Sequence, residues 1–262
     1  MRGFTWCVTR GLVMAVWIMV AGCATVPITG RSQLTLVSPA QETQMGAQAY
    51  REILKTAKVS TDPTVNALVT RVGTRIAAAT GHPEYQWEYK VIEDDKQANA
   101  FALPGGKVAV YTGILPITRD EAGLAAVLGH EIAHVIARHG GERMSQQVAV
   151  QGLTSLLAGM ASRDPRTVQS VASLLGAGAS VGFLLPWSRT QESEADHLGL
   201  IYMAKAGYDP HAARELWVRM AENSKGRGRP PEFLSTHPSE PTRIHQIEAW
   251  MPEALKYYQA PR

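Results

Sequence analysis

Apolar residues recur along this chain at two spacings. In Gln41–Lys58 the positions Met45, Ala49, Ile53 and Leu54 stand mostly three or four apart, and Pro63–Ala79 repeats this with Val65, Leu68, Val69, Val72 and Ile76. A turn of 3.6 residues stacks such positions on one face, so both stretches predict amphipathic helices. Between Tyr85 and Glu93 the spacing drops to two and the residues are aromatic or β-branched, which predicts a strand. Gly105-Gly106 then separates two short extended runs within Asn99–Gly113, a hairpin signal because both glycines accept positive φ. Pro104 suits an edge position, so the expected sheet is small and carries an exposed edge strand.

The densest apolar run, Leu124 to Ile136, follows Thr118-x-x-Glu121, the pattern of a capping box, and precedes Gly140-Gly141. It predicts a helix of about 20 residues. Two more helical stretches are expected in 143–187, split by Ser162-Arg163-Asp164-Pro165. The second, Val168–Trp187, holds no charged residue, but its Gly, Ala and Ser content and Pro186 favour a buried, hairpin or membrane-lying helix over a spanning one. Ser188-x-x-Gln191 is another capping box and opens a helix ending at Ala206, before Gly207. Beyond it the pattern predicts a helix over Pro210–Glu222, a basic loop over Asn223–Pro231, an extended Ser235–Pro238 and a last helix from Ser239 to Tyr258. No internal repeat interrupts this order. The fold class is α+β, mainly helical with a small sheet.

The first 22 residues differ in kind. Arg2 and Arg10 flank a short start, and the ten apolar residues Gly11–Val20 follow. Ten helical residues span about 15 Å, half the hydrocarbon core of a bilayer, so the run fits a secretory signal better than a membrane span. Val20-Ala21-Gly22-Cys23 then resembles the lipobox of bacterial lipoproteins. That resemblance implies cleavage before Cys23, acylation of Cys23 as a membrane anchor, and, with Ala24 next, sorting to the periplasmic face of the outer membrane. Residues 1–22 are thus expected to be a lipoprotein signal peptide, 23–38 an acylated tether with Pro27, Gly30 and several Ser and Thr, and 39–262 a single domain. Losing Arg2 and Arg10 lowers the net charge from +3 to +1, so the basic balance gives no reason to expect nucleic acid. With Cys7 removed and Cys23 acylated, no cysteine pair remains for a disulfide.

The chemistry centres on His130-Glu131-Ile132-Ala133-His134. Residues i and i+4 of a helix share a face, so His130 and His134 can offer two imidazole nitrogens to one ion, while Glu131 points about 100° round the cylinder toward a water on it. A catalytic zinc site needs a third protein ligand and one open position. Glu192 and Asp196 are four apart in Glu192-Ser-Glu194-Ala-Asp196 and share a helix face, with Glu194 on roughly the other side. Glu192 is the candidate ligand. Asp196 is the candidate acceptor for the spare N–H of a ligand histidine. His82, His139, His197, His211 and His245 show no ligand spacing that improves on this set, and His139, in the last turn of the expected helix, needs no catalytic role. The Asn99–Tyr111 hairpin is the expected substrate platform, with Asn99, Ala100, Phe101, Gly105, Gly106 and Val108 its candidate contacts, because an open strand edge can pair with an extended peptide.

These motifs, together with Asn99-Ala-Phe-Ala-Leu-Pro-Gly-Gly106 before them and Ser235-Thr-His-Pro238 after, resemble peptidase family M48 over about residues 27–255. The acylated cysteine is most similar to its LoiP-type lipoprotein branch. The resemblance implies a zincin-like (gluzincin) domain with endopeptidase activity, one Zn²⁺ per chain on His130, His134 and Glu192, and Glu131 as general base. It further implies that His237 can reach the zinc and hold the enzyme off, or, swung aside, donate to the oxyanion. Arg243 could form a salt bridge or donate to the oxyanion. The expected function is quality control of unfolded or misassembled envelope proteins. The competing expectation is a periplasmic chaperone or assembly scaffold whose zinc site is structural or blocked.

Overall fold

The protein is described by a computed structural model covering residues 23–161, 188–224, 232–237 and 242–259. The expected helix over Val168–Trp187 lies outside these residues, as does nearly all of the basic loop. The described chain falls into two compact units. One holds residues 23–38 with 141–161, the other residues 39–140 with those from 188 onward.

In the first unit, β1 (Cys23–Thr25) and β2 (Ser32–Leu34) pair antiparallel with Cys23 opposite Leu34. The segment expected to be a tether is therefore a small hairpin. It is pinned rather than free: the Arg31 guanidinium forks onto the Glu142 carboxylate at 2.6 and 2.8 Å, and the Leu36 N–H donates to the Ser145 hydroxyl at 2.7 Å.

The second unit opens with α1 (Pro39–Thr56) and α2 (Pro63–Thr80). Asp62 caps α2 by accepting from the Thr64 and Val65 N–H groups, Pro63 opens its first turn, and Gly81 closes it at φ 76°. Then come β3 (Glu88–Ile92), β4 (Ala100–Leu103) and β5 (Lys107–Tyr111). The sheet order is β3-β5-β4, β5 running parallel to β3 and antiparallel to β4. The hairpin turn is as the sequence predicts, with Gly105 at φ 84° and Gly106 at φ 86°. β3 and β4 are the edge strands, and β4 packs beside the H-E-x-x-H helix.

A short helix, α3 (Leu115–Thr118), precedes α4 (Glu121–Ile136), which carries His130, Glu131 and His134. Two details differ from the expectation. The cap of α4 is Asp120, which accepts from the Gly123 N–H, while the Thr118 hydroxyl donates to the Leu115 carbonyl inside α3. Thr118 has been claimed by the preceding helix. At the other end α4 stops at Ile136, because Arg138 takes a left-handed φ of 56°, and Gly140-Gly141 lie inside the next helix, α5 (His139–Ala161). Every residue of α4 from Gly123 to Ile136 is buried, as a helix apolar on all sides requires.

Next are α6 (Arg189–Lys205), α7 (His211–Ser224), the short α8 (Glu232–Thr236) and α9 (Arg243–Ala254). The Ser188/Gln191 capping box of α6 forms as predicted. Ser235 and Thr236 are helical, not extended, because α8 continues to a His237 N–H bond onto the Phe233 carbonyl at 2.8 Å. The core packs Val91, Val108 and Val110 of the sheet with Val72 and Ile76 of α2 and Leu124, Leu128 and Ile132 of α4. Among the described residues no helix is long and apolar enough to cross a membrane.

Candidate metal centre

α4 and α6 cross backbone to backbone. A Cβ on Gly129 would stand 2.9 Å from the Gly199 carbonyl oxygen, and one on Gly199 would stand 2.8 Å from the His130 nitrogen. Only paired glycines allow this approach, and it brings the acidic first turns of α6 onto the histidine face of α4. His130, His134, Glu192 and His237, all buried, each offer a ligand atom, and these atoms lie within 4.8 Å of one another.

The separations are informative. Nε2 of His130 and Nε2 of His134 are 3.1 Å apart. Glu192 lies 3.6 Å from the first through Oε2 and 3.4 Å from the second through Oε1. Nδ1 of His237 is 3.1 Å from His130 Nε2 and 3.0 Å from Glu192 Oε1. Ligand atoms set ~2.0–2.1 Å from a tetrahedral ion stand about 3.3–3.4 Å apart. These five separations are close to those within one tetrahedral coordination sphere, the whole set lies within 4.8 Å, and a nitrogen and carboxylate donor set suits zinc.

Around these donors sit the groups that orient them. Asp196 Oδ1 accepts from His130 Nδ1 at 2.9 Å, the place the sequence assigned it. Asp196 is itself braced by Arg243, whose Nε and Nη2 approach its two oxygens at 2.6 and 2.7 Å while Nη1 meets Glu192 at 3.0 Å. The Arg243 guanidinium lies 3.4 Å over the Trp217 ring. The salt-bridge role is the one this geometry supports, since the guanidinium is engaged by both carboxylates and stacked on an indole. On the other side of the site, His134 Nδ1 meets His139 Nδ1 at 2.9 Å, and His139 Nε2 meets Glu194 at 3.1 Å. Neither His139 nor Glu194 was expected here. His139 is fully buried and Glu194 nearly so.

Glu131 is also buried. Burial raises its pKa above the ordinary carboxylate range, although His237 and His130 pull the other way and the Ala102 N–H donates to it. Glu192 is held well below that range: burial would raise it, but His237 and His130 beside it, with hydrogen bonds from His134 and His237, outweigh burial. His237 lies between the two carboxylates, Nε2 3.2 Å from Glu131 and Nδ1 3.0 Å from Glu192, and its ring stacks on Phe233 at 4.4 Å.

The hairpin residues divide. Tyr111 N–H bonds the Asn99 carbonyl, so the register turns the backbone groups of Ala98, Ala100 and Ala102 outward along β4. The Ala98 carbonyl accepts from Phe233, Ala100 donates to its neighbour Asn99 Oδ1, and Ala102 donates to Glu131. Phe101 is half-buried and packs edge-on to Tyr50. Gly105 and Gly106 serve the turn, their missing side chains facing Thr43 and Trp87. Val108 is a correction: it is fully buried in the central strand, where its carbonyl accepts from Tyr50, and it presents nothing to a substrate. His82, His197, His211 and His245 each pair with a nearby carboxylate away from the cluster.

The family model described as "Peptidase family M48" matches residues 63–251. The chain belongs to peptidase family M48. It is 43% identical over 232 residues to the mitochondrial metalloendopeptidase OMA1 of Schizosaccharomyces pombe, an overlap that takes in 87% of this chain and 66% of that protein. To the protein of the same name from Saccharomyces cerevisiae it is 33% identical over 251 residues, 89% and 70% of the two chains. To the beta-barrel assembly-enhancing protease of Escherichia coli it is 31% identical over 228 residues, 84% of this chain and 46% of that one. The chain thus spans about two thirds of the first M48 relative and less than half of the last. The zincin-like M48 fold accounts for the helical build, the small sheet and the histidine and glutamate cluster.

Proposed function

We propose that this chain is a zinc-dependent endopeptidase in which His130, His134 and Glu192 hold the ion and Glu131 is the general base. The observation that carries the reading is the convergence of the donors, five pairs at 3.0 to 3.6 Å and all within 4.8 Å, with Glu131 adjacent. Zinc held there supplies an acidified water, its pKa brought toward ~7, and a Lewis acid for the peptide carbonyl oxygen. Glu131 takes the proton of the attacking water and returns it to the departing amine, a task that a buried carboxyl with a raised pKa suits. Asp196 keeps the His130 proton on Nδ1, leaving Nε2 as a lone pair, and Arg243 keeps Asp196 in place. Ala100 and Ala102 on the β4 edge align an extended substrate beside Glu131.

His237 stands at the fourth corner of the donor set, which supports reading it as the group that holds a resting enzyme off: a water on a bound ion would take that corner only once His237 had left. Phe233 bonds the β4 edge at Ala98, and His237 bonds Phe233, so α8 clears the strand edge and the metal together. That same corner is what favours the second reading, an assembly scaffold with a permanently blocked site. Casein cleavage decides between them. The enzyme reading expects a zinc-loaded wild type that cleaves, a Glu131→Gln variant that does not, and a His237→Ala variant at least as active as wild type. Equal activity in wild type and Glu131→Gln would sink it.

The substrates we assign are unfolded or misassembled proteins of a bacterial envelope, and the location is the periplasmic face of the outer membrane through an acyl chain on Cys23. The lipobox-like Val20–Cys23 supports the anchor, and the similarity to a protease named for β-barrel assembly supports the substrate class. Labelling with a radioactive or clickable fatty acid tests the first of these. Loss of label in Cys23→Ser is expected, and an unlabelled wild type would overturn the anchor.

A further inference from the structure

The two histidines of the H-E-x-x-H helix face the same requirement and meet it differently. A neutral imidazole that offers Nε2 to a metal must carry its proton on Nδ1, and a buried N–H needs an acceptor. His130 finds one directly in Asp196. His134 finds another imidazole, His139 Nδ1, at 2.9 Å. Two facing ring nitrogens are ambiguous on their own, because either can donate. If His139 held its proton on Nδ1, His134 would have to accept there and carry its proton on Nε2, where a lone pair is needed. Glu194 removes the ambiguity. An ionised carboxylate only accepts, and it stands 3.1 Å from His139 Nε2, so that nitrogen bears the proton, and in the neutral ring Nδ1 is left to accept.

We propose that Glu194 and His139 are positioning residues that fix the tautomer and ring orientation of His134 through this buried chain. The proposal rests on the reading of His134 as a metal ligand. The backbone is shaped for it. Five residues along an unbroken helix, His139 would lie about 140° round the cylinder from His134. The helix instead ends at Ile136, and Arg138 at φ 56° turns the chain back so that His139 covers Nδ1 of His134. A left-handed arginine is a strained residue. Here it is clamped by the buried Glu42, whose two oxygens lie 3.2 and 3.3 Å from Arg138 Nε, with a further contact from Nη2. Glu192, Glu194 and Asp196 then divide the work along just over one turn of α6: the first faces the ion, Asp196 faces the far nitrogen of His130, and Glu194 reaches that of His134 through His139.

Zinc affinity of the full chain, measured by chelator competition, tests the chain of bonds apart from proteolysis. His139→Phe fills the space without an acceptor and is expected to bind zinc 10- to 100-fold more weakly, the range for loss of a ligand's hydrogen-bond partner. His139→Asn places Oδ1 where Nδ1 stood and is expected to recover affinity to within a few-fold of wild type. A residue that only filled space would give the reverse ranking, since Phe fills the cavity better than Asn. Wild-type affinity in a folded His139→Phe would overturn the proposal. Because that variant could fail to fold, the tautomer is also read in wild type: ¹⁵N NMR of the zinc-loaded protein should show His139 neutral and protonated on Nε2. A proton on its Nδ1, alone or in addition, would overturn the chain. A wild type with no affinity for zinc would overturn the ligand reading and this proposal with it, a result distinguishable from the tautomer and variant outcomes.

Discussion

Groups carried in mid-helix and groups carried at chain reversals are held in this site by different means. His130, Glu131, His134, Glu192 and Asp196 sit inside α4 and α6, where backbone hydrogen bonds and the Gly129–Gly199 contact leave them no latitude. His139 follows a left-handed arginine, and His237 directly follows a helix of five residues. These two depend on side-chain clamps: Glu42 on Arg138 for the first, Phe233 on Ala98 for the second. The mid-helix groups are built for a fixed geometry. Of the two at reversals, one is fixed by a part-buried ion pair and the other by bonds that a competing strand could replace.

The sharpest way to break this comparison is to remove one member of each class. Glu131→Gln should lower peptide cleavage 10²- to 10⁴-fold, the usual worth of a general base, with zinc content unchanged. His237→Ala should cost no activity. If both lose activity equally in the same cleavage assay, the division between fixed and releasable groups is wrong. Next in size is the helix crossing. Gly199→Ala forces a methyl against backbone and should destabilise by about 1–3 kcal/mol, seen as a fall of several degrees in the melting temperature, roughly 2–4 °C per kcal/mol for a chain this long. The same substitution at Gly152 of α5, where a Cβ would meet nothing within 4 Å, should instead stabilise by roughly 0.5–1 kcal/mol.

The turn itself can be split into its ion pair and its dihedral. Arg138→Ala strands the buried Glu42 carboxylate and keeps the left-handed φ, so a loss of roughly 1–3 kcal/mol is expected in denaturant melts. Arg138→Gly loses the same ion pair but fits that φ, and should recover about 1 kcal/mol of it. Equal losses would mean that the dihedral carries no strain. The smallest effect is far from the site: Asp62→Ala removes the cap of α2 and should cost about 1 kcal/mol without altering zinc affinity.

The same division marks what could be read before the structure. The pairs His130/His134 and Glu192/Asp196 were legible because helical periodicity puts i and i+4 on one face, and the need of a zinc site for a third ligand, with the family resemblance, joined them. The hairpin was legible because Gly105-Gly106 is a backbone statement in two letters. His139 was not, because its relation to His134 depends on where the helix breaks, and the break is made by an arginine held by a glutamate nearly a hundred residues earlier. The Gly140-Gly141 pair drew the expected helix end past the true one. Thr118 misled for a similar reason: two capping residue types lay within three positions, and Asp120 won because α3 had already engaged the threonine hydroxyl. Glu194 looked idle from α6 alone, since its partner lies on another helix. Val108 was misassigned because a hairpin signal shows where a strand turns, and not which strand becomes central.

The glycine crossing has a bearing on transplanting such a site. Helices usually pack with axes 8–10 Å apart, side chains filling the gap. A designer who copied the histidines and acidic residues onto an ordinary helix pair would have every donor present and none within reach of the same ion. What such a graft would lack is two hydrogens: the positions where Gly129 and Gly199 carry no methyl are as much part of the coordination geometry as the atoms that touch the metal.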